Sequence, residues 1–217
     1  MNTELKAALE RLDSVLPLQS GLNSLDAEDT ALYCTLLSSY FERGSTLSRD
    51  EAANHVRDVD QSLSNLRDKK LIVLDVDGNP SGAYPFTSEK REHKVLIDDV
   101  TVHCMCALDA LSVSSMFNTP TLLESQCRVT GKAILLEQNR TNFSSGTLDA
   151  WFGINWGAAT CEIVCAESLC MEMIFLANET IAREWVSQSP ESLEIFDLKT
   201  AAEFAAAFFV PLAESCK

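Results

Sequence analysis

Leu5, Leu9, Leu12 and Leu16 recur at three- and four-residue intervals, with Glu4, Lys6, Glu10, Arg11 and Asp13 between them. That period matches the turn of an α-helix, so the chain opens on an amphipathic helix that packs against another element. The charges interrupt any continuous apolar run, so no targeting signal is expected over residues 1–16. No later stretch is apolar for long enough to cross a bilayer, and a soluble, cytoplasmic protein with no membrane partner is expected. Helical patterning returns over residues 29–41, 48–55 and 59–69, followed by short apolar runs at 71–75 and 83–86. Ser48 and Glu51 stand at capping-box spacing, and Asp77-Gly78-Asn79-Pro80 supplies a turn between the two runs. Three helices and a hairpin give residues 1–92 a winged-helix outline.

From His93 onward the texture changes to short strands, expected at 94–97, 101–104, 122–127, 132–137, 161–165 and 171–176. A helix is expected at 105–114, and two closing helices at 183–187 and 198–209. Gly131 fits a hairpin turn, and the polar run 139–146 reads as a mobile surface loop. The fold class is therefore α+β in two domains. A winged-helix-like lid or structural module, possible as a dimerisation surface, spans 1–92, and a mixed β-sheet domain with flanking helices spans 93–217.

Charge narrows the function. Across 217 residues the formal net charge is −15, and 10 basic against 16 acidic residues leave residues 1–92 at −6. The would-be recognition helix has Arg67, Lys69 and Lys70 against Asp60 and Asp68, a poor grip on phosphate, so no nucleic-acid partner is expected. The eight cysteines belong to a chain large and apolar enough to fold without staples, which points to reduced thiols.

Two thiols and an acid then stand out: Cys106 and Asp109 in Met105-Cys106-Ala107-Leu108-Asp109-Ala110-Leu111, and Cys170 in Ser168-Leu169-Cys170. Residues three apart on a helix share a face, so Cys106 and Asp109 become neighbours. A cysteine at a helix start also feels the positive end of the backbone dipole, which favours its thiolate. Thiolates capture soft electrophiles, and a carboxyl group moves protons between them and a leaving group. The same local pair equally fits a buried structural cysteine with Asp109 capping a neighbouring loop.

Between about residues 83 and 209 the chain resembles the organomercurial (alkylmercury) lyases. The likeness lies in Ala83-Tyr84-Pro85-Phe86, the Cys106 motif, Ser125-Gln126-Cys127-Arg128-Val129-Thr130-Gly131, Ser168-Leu169-Cys170 and Glu184-Trp185, in matching order and spacing. The resemblance implies that Cys106 and Cys170 bind mercury and that Asp109 shuttles the proton that releases the hydrocarbon. It implies a supporting role for Cys127 and an N-terminal module that covers the catalytic domain without binding DNA. It also implies no required cofactor, an organomercurial substrate, and bound Hg(II) product passed to small thiols or to a mercuric reductase.

Some residues depart from that pattern. His103-Cys104-Met105-Cys106 places a histidine and a further thiol beside the motif, an auxiliary site for copper(I) or zinc if both side chains converge, and ordinary strand residues if they do not. Cys161 and Cys165 match no zinc-knuckle spacing and read as core strand residues, with an auxiliary metal role as the alternative. Trp151, Phe152 and Trp156 are candidates to line an apolar pocket or to pack the core, and Phe204, Phe208 and Phe209 read as core. His55 and His93 accompany no hydrolase motif. A non-catalytic soft-metal-binding or sensing protein on the same fold remains open, as does a family member recruited to another sulfur or metal substrate.

Overall fold

The computed structural model describes residues 3–160 and 164–217. Helix α1 (Thr3–Val15) buries Leu5, Ala8 and Leu12 along the stripe set by the leucine spacing. A short α2 (Leu18–Asn23), not anticipated from the pattern, leads to α3 (Ala27–Arg43). Asp26 caps α3 by accepting from the Asp29 amide, and Gly44 ends it in the left-handed conformation that glycine adopts without a Cβ penalty. Helix α4 (Arg49–Ala52) carries the expected Ser48–Glu51 capping box, but only one turn forms and His55 lies exposed beyond it. Helix α5 (Val59–Asp68) follows.

Strands β1 (Ile72–Leu74) and β2 (Pro80–Ala83) form the hairpin turned at 77–80, with β3 (Phe86–Thr87) beside them. Next come β4 (Lys94–Ile97), β5 (Val100–Cys104), α6 (Ala107–Phe117), β6 (Pro120–Gln126), β7 (Ala133–Asn139) and β8 (Asn142–Gly146). Among the described residues, β1 to β8 make one antiparallel sheet in the order β1-β2-β3-β5-β4-β6-β7-β8. The segment 139–146 is thus a paired edge hairpin and not the mobile loop that its polarity suggests. Its side chains are polar because both faces of the edge meet water, while ladder hydrogen bonds hold its backbone.

A second antiparallel sheet runs β10-β9-β11, built from β9 (Trp151–Asn155), β10 (Met173–Leu176) and β11 (Leu193–Asp197). Strands β9 and β11 escape the sequence pattern because β9 is apolar on both faces and β11 is short and irregular in burial. Of the expected strand 161–165, residues 161–163 lie outside the described part, and Cys165 sits in a 3₁₀ turn, Cys165–Glu167. A second 3₁₀ turn, Leu169–Glu172, replaces the first half of the expected strand 171–176. Helices α7 (Glu179–Val186) and α8 (Leu198–Glu214) close the chain, both longer than their apolar stripes alone indicate.

Helix α6 is the centre of the molecule. Nine of its eleven residues are buried, it packs on α8, and it also touches β5, β6 and β10. A helix apolar nearly all round belongs in an interior, and each large side chain it buries contributes about 1.5–3 kcal/mol. Phe204, Phe208 and Phe209 of α8 are core residues as expected.

The expectation of reduced thiols fails at one pair. Cys34 of α3 and Cys216, just past α8, form a disulfide with Cα atoms 5.4 Å apart, whereas Cys104, Cys106, Cys127, Cys165 and Cys170 are free. Sequence distance hides this pairing, since 182 positions separate the partners and only the packed helices bring them together. Closing so long a loop restricts the unfolded chain, so reduction or a Cys34→Ser/Cys216→Ser double variant should lower unfolding free energy by about 2–5 kcal/mol. Urea denaturation with and without reductant measures this, and coincident midpoints would refute it.

Candidate active site

Strand β5 delivers the chain to Cys106 in an extended conformation, and Cys106 becomes the N-cap of α6. Its sulfur accepts the Asp109 amide N–H at 3.4 Å, the place usually taken by a Ser, Thr, Asn or Asp oxygen. The first turn of α6 therefore fixes Asp109 beside Cys106, as the three-residue spacing predicts. The 3₁₀ turn Leu169–Glu172 brings Cys170 from the opposite side. The two sulfurs and a carboxylate oxygen all lie within 4.8 Å of one another, and all three residues are buried.

Burial controls the chemistry of this trio. Asp109 is wholly inaccessible, and neither of its carboxyl oxygens has a hydrogen-bond partner. Loss of water raises its pKa to about 7, against the opposing pull of Cys106 and of the Arg91 charge. Such an acid exchanges a proton readily near neutrality, as proton-transfer catalysis requires. The Cys106 thiol is also pushed up, to about 12, chiefly by burial. Desolvation thus outweighs the helix dipole, and Cys106 rests as a thiol that must shed its proton when it binds an electrophile. The Cys170 thiol is raised well above its ordinary value, first by the adjoining Cys106 sulfur and then by burial, against the opposing pull of the Cys165 hydrogen bond.

Four other residues shape the site, and the sequence pattern singled out none of them for it. Arg91 donates from one Nη1 to the carbonyls of Met105 (3.0 Å) and Ala166 (2.9 Å), which joins the approach to α6 to the 3₁₀ segment. Met173 Sδ lies 3.5 Å from Cys106 Sγ. The Tyr84 hydroxyl stands 4.0 Å from Cys170 Sγ, and Cys165 Sγ is 3.7 Å from the same sulfur. The only available signal was Tyr84 within a quoted motif and Cys165 as a spare thiol; their convergence depends on long-range packing.

The remaining candidates lie elsewhere. Cys104 is fully buried on β5, and His103 Nδ1 is 2.9 Å from the Arg91 carbonyl. Among the described residues neither joins a cluster able to hold an ion. Cys127 is buried past the end of β6, where its backbone pairs with Phe175 and its sulfur accepts the Thr130 amide at 3.4 Å. His93 Nδ1 meets Ser125 Oγ at 2.8 Å, and burial lowers its pKa to about 4. Phe152 is core, while Trp156 donates to Glu194 at 2.7 Å and lies under Arg11, so packing explains both.

A cavity of about 370 Å³ lies between the N-terminal elements and the 3₁₀ turns and ends at Tyr84 and Cys165, short of the trio itself. Leu16, Ile72, Leu74, Tyr84 and Cys165 line it, with the charged Arg67, Asp68, Lys70 and Glu167 also on its wall. A wall that combines aliphatic and aromatic side chains with these charged groups has room for a small organic ligand. The described helices include none long and apolar enough to cross a membrane.

Comparison with known proteins gives concordant results. The alkylmercury lyase (MerB) family model matches residues 86–210. Curated alkylmercury lyases of Bacillus cereus and Clostridium butyricum are each 23% identical over 197 residues, which is 88% of this chain and 84% of theirs. The fold resembles a crystal structure described as the mercury-bound form of MerB2, with a TM-score of 0.74 and 18% identity, covering 92% of this chain and 98% of that one.

The raised pKa of Asp109 has a measurable consequence for stability. Between the ordinary carboxyl pKa of 3.8 and about 7 the folded chain binds a proton that the unfolded chain has lost. This group therefore makes the fold less stable as pH rises through that window. Asp109→Asn removes the liability, so the variant should gain a few kcal/mol over the native chain at pH 8 and little or nothing at pH 4. Paired denaturation curves at the two pH values check this, and a pH-independent difference would contradict a buried, neutral-when-folded Asp109.

Proposed function

The chain belongs to the alkylmercury lyase family, carbon–mercury lyases, and from that premise we propose the roles of its own residues in the cleavage. The observation that carries the assignment is the buried convergence of Cys106, Asp109 and Cys170. An organomercurial arrives as R–Hg–X, where X is a thiolate or halide. The Cys106 sulfur displaces X and gives R–Hg–S, with the thiol proton leaving on X. Cys170 then adds its sulfur to mercury and passes its proton to the Asp109 carboxylate. Two sulfur donors weaken the bond to carbon by pushing electron density onto the metal. Asp109 protonates the departing carbon, so that R–H leaves and Hg(II) remains between two thiolates. Every proton is accounted for, and no redox change occurs.

Desolvation supports this order of events. A carboxyl group with a pKa near 7 can both accept a proton from a thiol and return it to carbon. A site that merely held a soft ion would gain nothing from such an acid, which weighs against the non-catalytic reading. The cavity offers room for the organic group beside Tyr84 and Cys165. We read residues 1–92 as a winged-helix-like lid, since Leu16, Ile72 and Leu74 of that module form a wall of the cavity. Residues 93–217 carry the catalytic trio. Small thiols, or a mercuric reductase, would take up the Hg(II) in a cytoplasmic resistance role.

The test incubates reduced protein with phenylmercury or methylmercury and excess small thiol, and measures benzene or methane in the headspace. The native chain should release hydrocarbon, and Cys106→Ser and Cys170→Ser should abolish it. Asp109→Asn should keep mercury affinity while losing at least about 100-fold in turnover, the scale of a removed proton-transfer group. Stoichiometric binding by the native chain with no hydrocarbon would support the binder instead.

A further inference from the structure

Cys165 takes no part in the cleavage described above, yet its sulfur lies 3.7 Å from Cys170 Sγ. It lines the 370 Å³ cavity, which does not reach Cys106 or Cys170. Among the described residues, Cys165 is thus the thiol that an incoming solute meets first from that side. The product, in contrast, is held by two residues that are 1% and 3% exposed. A small thiol must reach mercury to remove it, and the 370 Å³ cavity gives it no direct access to either of those two sulfurs.

Resting on the lyase reading above, we propose that Cys165 is a third mercury-binding thiol, a relay that moves product Hg(II) from Cys170 to a low-molecular-weight thiol entering that cavity. In the first exchange the Cys165 sulfur bonds to mercury as the Cys170–mercury bond breaks, and the Cys165 proton passes to the Cys170 sulfur. In the second, an external thiol RSH bonds to mercury, its proton returns to Cys165, and the Cys165–mercury bond breaks. A second RSH displaces Cys106 in the same way, so Hg(II) leaves as Hg(SR)₂ and all three protein thiols are restored. Thiol exchange of this kind conserves oxidation state and depends on close approach of the sulfurs.

A competing exit exists, because Cys170 also touches a polar cavity lined by Lys90, Arg91, His93 and Arg128. Release by that route would make Cys165 dispensable. The experiment follows benzene from phenylmercury and, separately, the loss of Hg(II) from mercury-loaded protein after addition of glutathione. Cys165→Ala should give a burst of about one benzene per protein, then a steady state at least ~10-fold slower than native, with Hg(II) retained to the same degree. Cys165→Ser, which keeps the volume without the sulfur, should behave as Cys165→Ala does. Native-like turnover and Hg(II) loss in both variants would overturn the relay, as would loss of the burst itself, which would place Cys165 in packing or cleavage. Should the native chain form no benzene, the lyase reading fails instead, and the Hg(II)-release comparison still decides the relay.

Discussion

The withdrawal of one carboxyl group from water governs this molecule. Asp109 sits in the first turn of a helix buried on nearly every face, with both oxygens unpartnered. A buried polar group without hydrogen bonds costs roughly 1–3 kcal/mol or more, and such groups are rare in native folds. Here the same desolvation that makes the residue costly gives it a pKa near 7 and makes it useful. If water entered, the acid would return to its ordinary range and would no longer hold a proton near neutrality.

The architecture can be read as the means of keeping that turn dry and its partners aligned. Helix α8 covers α6 along its length, and the large sheet and β10 close the other sides. The Cys106 sulfur caps α6 directly, so a residue of the trio also fixes the helix start. Arg91 ties the carbonyls of Met105 and Ala166, and so joins the two segments that carry the opposing thiols. Proton transfer and thiol exchange tolerate little misplacement, and such a cross-link between remote segments is how a fold supplies the alignment.

The arrangement also separates the reactions of five cysteines that look alike in sequence. Cys106 and Cys170 share the acid, Cys165 faces the cavity, and Cys34 with Cys216 lies elsewhere as a covalent link between helices. Oxidation of the last pair leaves the site thiols free. Identical side chains thus acquire different chemistry from burial and neighbours alone.

Local information was enough for what is local. The leucine spacing of α1, the Ser48–Glu51 box, the turn at 77–80 and the alternating strands β6 and β7 were all legible because caps, turns and periodicity act over a few residues. So was the Cys106–Asp109 pairing, since one helical turn creates it, and the likeness to alkylmercury lyases supplied Cys170, 61 positions beyond Asp109. Tertiary structure alone decided the rest. It paired 139–146 as an edge hairpin, folded 165–172 into 3₁₀ turns, oxidised Cys34 with Cys216, and set Tyr84, Arg91 and Cys165 around the trio. It also raised the thiol pKa that a helix N-terminus alone would lower, because desolvation is a property of everything packed around a group and the dipole only of its own helix.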